Sequence, residues 1–309
     1  MSVENSFQVK FHNNVELALQ QGMATDPFEE AVVWTDDASA EKIKVKDIFP
    51  AKPASEGGVR GKRTDWDDPN SDGVWLPKEK ELYKAFLIDN ADKLQTSISL
   101  EGAATTMTTA TLKRARMQRV LEGFYGPIIS GKHGTTVTAF PSAAEIPVTA
   151  GGASGNQPLN TKKIRMAKLY LDEGFNPREL KRYMVTTAED VDALLDEMQA
   201  VDNDFKQSFG VKYDADGTIT GMMGFNFIHV ELDDPMLATI PALATNGSGH
   251  RRNPFWVKGG LVGNYWQRLR SEVGKIPELE FNLGTFGGTT LAATRTQAGR
   301  CGIILNAKA

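Results

Sequence analysis

RYMVTTAEDVDALLDEMQAV, residues 182–201, changes its hydrophobic period halfway along, and the reading of the fold turns on that change. Tyr183-Met184-Val185 is a short β-prone run of the kind that fills a buried strand. Past Thr187, the apolar residues Val191, Leu194, Leu195, Met198 and Val201 recur at the spacing of one helix face. Thr186 followed by Glu189 has the form of a capping box for that helix. A strand that passes within a few residues into an amphipathic helix belongs to a unit where helices cover a sheet.

Working outward, the same grammar continues on both sides. Residues 161–173 read as a helix with Ile164, Ala167 and Leu171 turned inward. Gly151-Gly152-Ala153-Ser154-Gly155-Asn156 precedes it as a flexible joint and domain-boundary candidate. Downstream, Asp216-Gly217 signals a hairpin between Val211-Lys212-Tyr213 and Thr218-Ile219-Thr220, and Phe225 to Val230 is a strand. A polar loop covers 246–254. Leu261, Tyr265, Leu269 and Val273 stand four apart and predict a helix, and strand-like runs close the chain at Glu278–Leu283 and Gly302–Leu305.

Toward the N-terminus, residues 91–124 read as a long helix whose second half places Met117, Val120, Leu121 and Phe124 on one face. Lys113, Arg114, Arg116 and Arg119 on it form a solvated basic face rather than a DNA contact. Residues 30–88 combine a strand-like run from Lys42 to Phe49, a polar stretch from Pro53 to Gly73, and ordered character again from Val74 to Ile88. Loops this long usually carry function, and the arms on either side predict an extended two-stranded projection. Residues 7–21 form a short amphipathic helix whose stripe, Phe7, Phe11, Val15 and Leu19, needs another surface to cover it.

The composition is that of an ordinary globular protein: 309 residues, 40% hydrophobic and 24% charged. A net charge of −4 argues against a broad basic face gripping nucleic acid. The single cysteine, Cys301, excludes an internal disulfide and a cysteine-rich zinc site, and its apolar neighbours make it a core residue. No signal peptide precedes Phe7 and no apolar run spans a bilayer, so a cytoplasmic product is expected.

Motifs for chemistry are sparse. Gly126 to His133 has the spacing of a phosphate loop, but His133 replaces the hydroxyl after the lysine, and a helix precedes where a strand is needed. Asp68, Asn70, Asp72 and Glu79, with Gly73, match a calcium-loop pattern. The flanks are not helical and Pro77 interrupts the loop, so an acidic loop tip explains the same residues. His12, His133, His229 and His250 are scattered, and His229 alternates with Phe225 and Phe227 as a core or interface histidine would. No nucleophile elbow is present. The expectation is a non-enzyme without a cofactor.

Several stretches in order resemble the major capsid proteins of tailed bacteriophages, the Hong Kong 97-type capsid fold. They are Thr138-Ala139-Phe140-Pro141 with the joint and Leu159 to Gly174, Arg182 to Val185 with helix 187–201, and Gly221 to Val230 (GMMGFNFIHV). Gly260 to Val273, Leu291 to Arg295 and Gly302 to Ile304 complete the series. The resemblance covers roughly residues 90–309. It implies an α+β fold with an N-terminal arm (1–29), an extended loop (30–88), a peripheral domain (89–156 plus 275–300, spine helix about 91–124) and an axial domain (157–274 plus 301–309). It further implies hexamers and pentamers of an icosahedral head around double-stranded DNA, with portal and decoration proteins as partners and no membrane. The chain has almost nothing before its arm, which implies a separate scaffolding protein. Contacts between subunits are expected at Phe7, Phe11, Val15, Leu19, Arg60, Lys62, Arg63, Trp66 and Trp75. The alternatives are an encapsulin-like nanocompartment shell and, more remotely, a calcium-binding module or a nucleotide-binding enzyme built on residues 126–133.

Overall fold

The computed structural model describes residues 27–37, 41–45, 73–88, 100–131, 133–152, 155–199, 210–279 and 282–308. In chain order, a short helix α1 (Pro27–Ala31) leads into strands β1 (Val33–Thr35), β2 (Lys42–Val45), β3 (Val74–Pro77) and β4 (Leu82–Ile88). The long helix α2 (Leu100–Tyr125) is followed by β5 (Ile128–Ser130), β6 (Thr136–Thr138) and β7 (Glu145–Ile146). Then come α3 (Thr161–Glu173), β8 (Arg182–Thr186), α4 (Ala188–Gln199), β9 (Lys212–Tyr213), β10 (Ile219–Met222) and β11 (Phe225–His229). The chain finishes with β12 (Arg251–Val257), β13 (Leu261–Ile276), β14 (Asn282–Arg295) and β15 (Cys301–Asn306).

These strands form three sheets. A seven-stranded mixed sheet runs in the order β7-β15-β12-β8-β11-β10-β9. All five β8 residues are buried because helices cover both faces. Met184, Phe225, Phe255, Val257 and Ile304 point to the side that α3 and α4 cover with Ile164, Ala167, Leu171, Val191 and Leu194. The alternate residues Tyr183, Val185, Ile228, Trp256 and Ile303 point to the other side, where α2 presents Met117, Val120, Leu121 and Phe124. The second sheet runs β1-β13-β14-β4 and the third β2-β3-β5-β6.

One apolar core joins the first two sheets. It takes in Trp256 of β12, Phe28 of α1, Phe124 of α2, and Leu261, Tyr265 and Leu291 of the β13–β14 hairpin. Phe28 stacks on Trp256 at 6.2 Å, and the Trp256 indole N–H donates to the Ala31 carbonyl at 2.9 Å. Arg268 clasps Asp36 through two bonds of 2.9 and 2.8 Å, so α1 and β1 are fastened to the hairpin as well. Close approach needs glycine at two places. A Cβ on Gly123 of α2 would overlap the Ala293 backbone of β14, and one on Gly263 of β13 would enter the Trp34 ring.

Several local readings hold. Helix α3 has the expected bounds: the Asn160 side chain caps it by accepting from Lys163 N–H at 2.9 Å. The β9–β10 hairpin turns at Gly217, whose φ of 78° suits a residue without a side chain. Helix α2 is described from Leu100 onward, and the expected residues 91–99 lie outside the described residues.

Other readings require correction. Residues 261–273 are not a helix: they lie in β13, paired antiparallel with β14 from Leu261↔Arg295 to Ile276↔Asn282. A spacing of four is a multiple of the strand period as well as close to one helical turn, so Leu261 and Tyr265 fit either. The capping box is shifted by one residue: Thr187 N–H and Oγ1 donate to Asp190 Oδ2 at 3.0 and 2.8 Å. Glu189 instead bonds Arg251, a partner from β12 that local sequence cannot reveal. The run Glu278–Leu283 begins as a 3-10 turn, Pro277–Leu279, before β14 starts. His229 is exposed, 3.4 Å from Glu231, and so is no core residue.

Candidate functional site

Groups with perturbed chemistry are sealed inside the fold. Lys163 is fully buried, and its Nζ donates to the Gln157 and Leu305 carbonyls at 2.7 Å each and to Asn306 Oδ1 at 3.1 Å. Burial pushes its pKa down to about 8, against the pull of nearby Asp190. A lysine poised this way in a cleft would suggest catalysis, but here every donor is used and no solvent reaches it. Asp190 accepts from Thr187, Asn253 and Asn306, and Arg251 reaches Glu189, Asp233 and Thr187. The set is a hydrogen-bonded tie joining α3, α4, β12 and β15. Burial likewise pushes the Cys301 thiol up to about 12, and its Sγ lies 3.1 Å from the Gly260 carbonyl.

The sequence motifs for ligand chemistry do not assemble. Residues 126–131 leave α2, form β5 and turn at Gly131 (φ 90°) toward β6, so no helix N-terminus follows to hold a phosphate. Glu79 faces Arg119 at 3.6 Å, while Asp68, Asn70 and Asp72 lie outside the described residues. Among the described residues, no group of three or more His, Cys, Asp or Glu converges as metal ligands would. No helix among them is long and apolar enough to cross a membrane.

What the fold leaves open is surface, and one open surface is on the second sheet. The first six residues of β13 are buried and the next nine are exposed. Beyond that boundary β13, β14 and β4 continue as a three-stranded ladder, with Glu272↔Phe286↔Ala85 and Gly274↔Gly284↔Leu87 side by side. One face of it rests on α2: a Cβ on Gly287 would come within 2.5 Å of Thr108 and 3.0 Å of Leu112. The opposite face carries Tyr83, Leu87 and Phe286. Tyr83 is 68% exposed, its ring stacked on Phe286 at 5.9 Å with Arg270 over the other ring at 5.6 Å. Gly274 and Gly284 keep the floor low beneath Ile276, and with Leu87, Leu279 and Phe286 they line a cleft of about 840 Å³. Leu269 and Val273 are also exposed along the outer strand, Leu269 to 60%. Apolar side chains on an open sheet end of this kind mark a surface meant to be covered.

Of the subunit contacts expected from sequence, Phe7, Phe11, Val15, Leu19, Arg60, Lys62, Arg63 and Trp66 lie outside the described residues. Trp75 is described and half-buried. Its Nε1 donates to the Gly131 carbonyl at 2.6 Å and Lys44 lies over its ring, so it fastens β2–β3 to β5–β6 within the chain. The distal hairpin face is hidden in the sequence because the spacing of four in β13 also fits a helix. The signal available was its partner, Gly284-Thr285-Phe286-Gly287-Gly288-Thr289-Thr290, rich in Thr and aromatic but broken by glycine.

Comparisons with known proteins show a family and a shared fold. The family model described as "phage capsid protein" matches residues 3–308. No curated protein sequence matches. Among solved structures, the capsid of cyanophage P-SCSP1u superposes with a TM-score of 0.66 at 12% identity, covering 91% of this chain and 88% of that one. The structure described as Mycobacterium phage Che8 gives 0.60 at 14% identity and 93% coverage of both chains. The holo-SrpI encapsulin complex of Synechococcus elongatus gives 0.55 at 8% identity, covering 93% of this chain and 89% of that one.

Proposed function

This chain belongs to the phage capsid protein family and is a structural capsid protein of the virion, with a mixed helix and sheet fold of the Hong Kong 97 type; from that premise we propose how its copies build the shell. They assemble as hexamers and pentamers of an icosahedral head enclosing double-stranded DNA. The observation that carries this reading is the open distal half of the β13–β14–β4 ladder, whose Tyr83, Leu87 and Leu269 are exposed on one chain. A shell repeats each such contact around closed symmetry, so the individual contact can be modest.

In this assignment residues 1–29 are the arm, 30–88 the extended loop, 89–156 with 275–300 the peripheral domain, and 157–274 with 301–309 the axial domain. The arm stripe Phe7, Phe11, Val15 and Leu19 and the loop residues Arg60, Lys62, Arg63, Trp66 and Trp75 contact neighbouring copies. A separate scaffolding protein guides assembly in the bacterial cytoplasm, and portal and decoration proteins join the finished head. The net charge of −4 fits a wall that lies beside DNA without gripping it. Catalysis plays no part in the role.

The test is expression with and without scaffold, followed by negative-stain microscopy. Closed particles are the expected result, and a monodisperse monomer under every condition would overturn the reading. The encapsulin alternative predicts particles filled with enzyme rather than nucleic acid, so the contents of purified particles separate the two.

A further inference from the structure

We propose that the outward face of α3, ending in Phe175, is a contact between copies of this chain and seats on the acidic outward face of α4 in the next copy. The inference deepens the capsid reading and rests on it. Helix α3 buries Ile164, Ala167 and Leu171, which leaves Lys162, Arg165 and Leu169 exposed in one row on its other side. Just past its C-terminus stands Phe175, 96% exposed and at a φ of 55°. A bulky aromatic in the left-handed region is an outlier even in a turn, and an aromatic in water forgoes its burial. Glycine or asparagine would fit that backbone better, so nothing among the described residues explains the ring.

The turn that holds it is rigid. Asn176 is buried and donates to the Leu171 and Gly299 carbonyls at 2.8 Å each, and Phe175 N–H donates to the Asp172 carbonyl at 3.2 Å. A Cβ on Gly174 would overlap the Gly299 carbonyl, so the turn is clamped against the start of β15. The ring is therefore displayed in a fixed position.

The occupant follows from charge. Helix α4 lies in the same layer over the same sheet, and with Val191 and Leu194 buried it turns Asp192 and Asp196 outward, one helical turn apart. Among the described residues, Lys162, Arg165, Asp192 and Asp196 form no ion pair. One chain thus carries a ridge with Lys162 and Arg165 at one end and Glu173 and the aromatic at the other and, elsewhere on the layer, the acidic stripe of Asp192 and Asp196. Two different patches that match each other make a head-to-tail contact, which closes into rings, and the opposite charges fix its register.

The only native cysteine, Cys301, is buried, so Phe175→Cys supplies a single accessible thiol. Co-assembled as a minor fraction with wild-type chain, it should react with maleimide about tenfold more slowly in particles than in the free chain, following its loss of exposure. Equal rates in both would overturn the proposal, and so would protection already present in the free chain, which would mean that the chain covers the ring itself. Arg165→Asp should lower particle yield several-fold with melting unchanged, and Asp196→Lys in the same chain should restore it, because the pair sets the register. An unchanged yield, or no rescue by Asp196→Lys or Asp192→Lys, would overturn the assignment of α4. Wild-type chain that forms no particle with scaffold present would instead overturn the reading of copies as a shell.

Discussion

The seven-stranded sheet and the far end of the β13–β14 hairpin are built from one continuous chain, yet they settle their surfaces in opposite ways. In the first, even the charges are satisfied internally: Lys163, Asp190 and Arg251 are buried and linked through Thr187, Asn253 and Asn306. In the second, backbone pairing continues to the hairpin tip while Leu87 and Val273 stay in water. Strand pairing does not by itself make a core. The closed region holds the subunit together, and the open one waits for another subunit.

Five substitutions would break or sharpen that contrast. The largest effect belongs to Asp190→Ala, which leaves the Thr187, Asn253 and Asn306 donors without their acceptor and removes the buried charge that faces Arg251 at 3.8 Å; it should cost about 3–5 kcal/mol in a denaturant titration. A loss below about 1 kcal/mol would mean that water already reaches the tie. Gly287→Ala, on the face where the hairpin meets Thr108 and Leu112 of α2, should cost about 1–3 kcal/mol through overpacking, read as a lower melting temperature.

The tie should also show in pH. Folding lowers the Lys163 pKa from 10.5 to about 8, so between those values the unfolded chain holds a proton that the folded chain has released. Stability contributed by this group therefore rises across that window, by at most about 1.4 kcal/mol per pH unit. The rise should vanish from the denaturation midpoints of Lys163→Met, and its persistence there would assign it to another group. The smallest effect on the isolated chain is expected at the open end. Leu87→Ser and Val273→Ser should leave stability within about 0.5 kcal/mol while lowering the yield of particles. A large loss of monomer stability would show that the open face is packed in the free chain.

Much of the closed region was legible in the sequence because its signals are local. Asn160 and Gly174 bracket α3 to the residue, and Asp216-Gly217 places the β9–β10 turn. The capping box slipped by one position because Glu189 is claimed by Arg251, a long-range competitor. The open region was misread for a different reason. Leu261, Tyr265, Leu269 and Val273 satisfy both periods, and the arbiter is the register with β14, a pairing that begins on residues far along the chain. At Phe175 the local signal is present: Gly174-Phe175-Asn176-Pro177 sets an aromatic among helix-stop residues where a small polar one is usual. The order of motifs that resembles tailed-phage capsid proteins points to the family, while the exposed faces at Phe175 and the distal hairpin depend on long-range packing and pairing.

The register of β13 shifts between Tyr265 and Gln267 and again between Gln267 and Arg270, at the place where burial gives way to exposure. Such irregularities sharpen the local twist of a ladder while leaving it continuous. The change from buried to exposed surface is thus made within one covalent strand and not at a joint between separate bodies. A load applied at the hairpin tip would travel down the hydrogen bonds of three strands into the Trp256 core, much as a cantilever carries its load to its root.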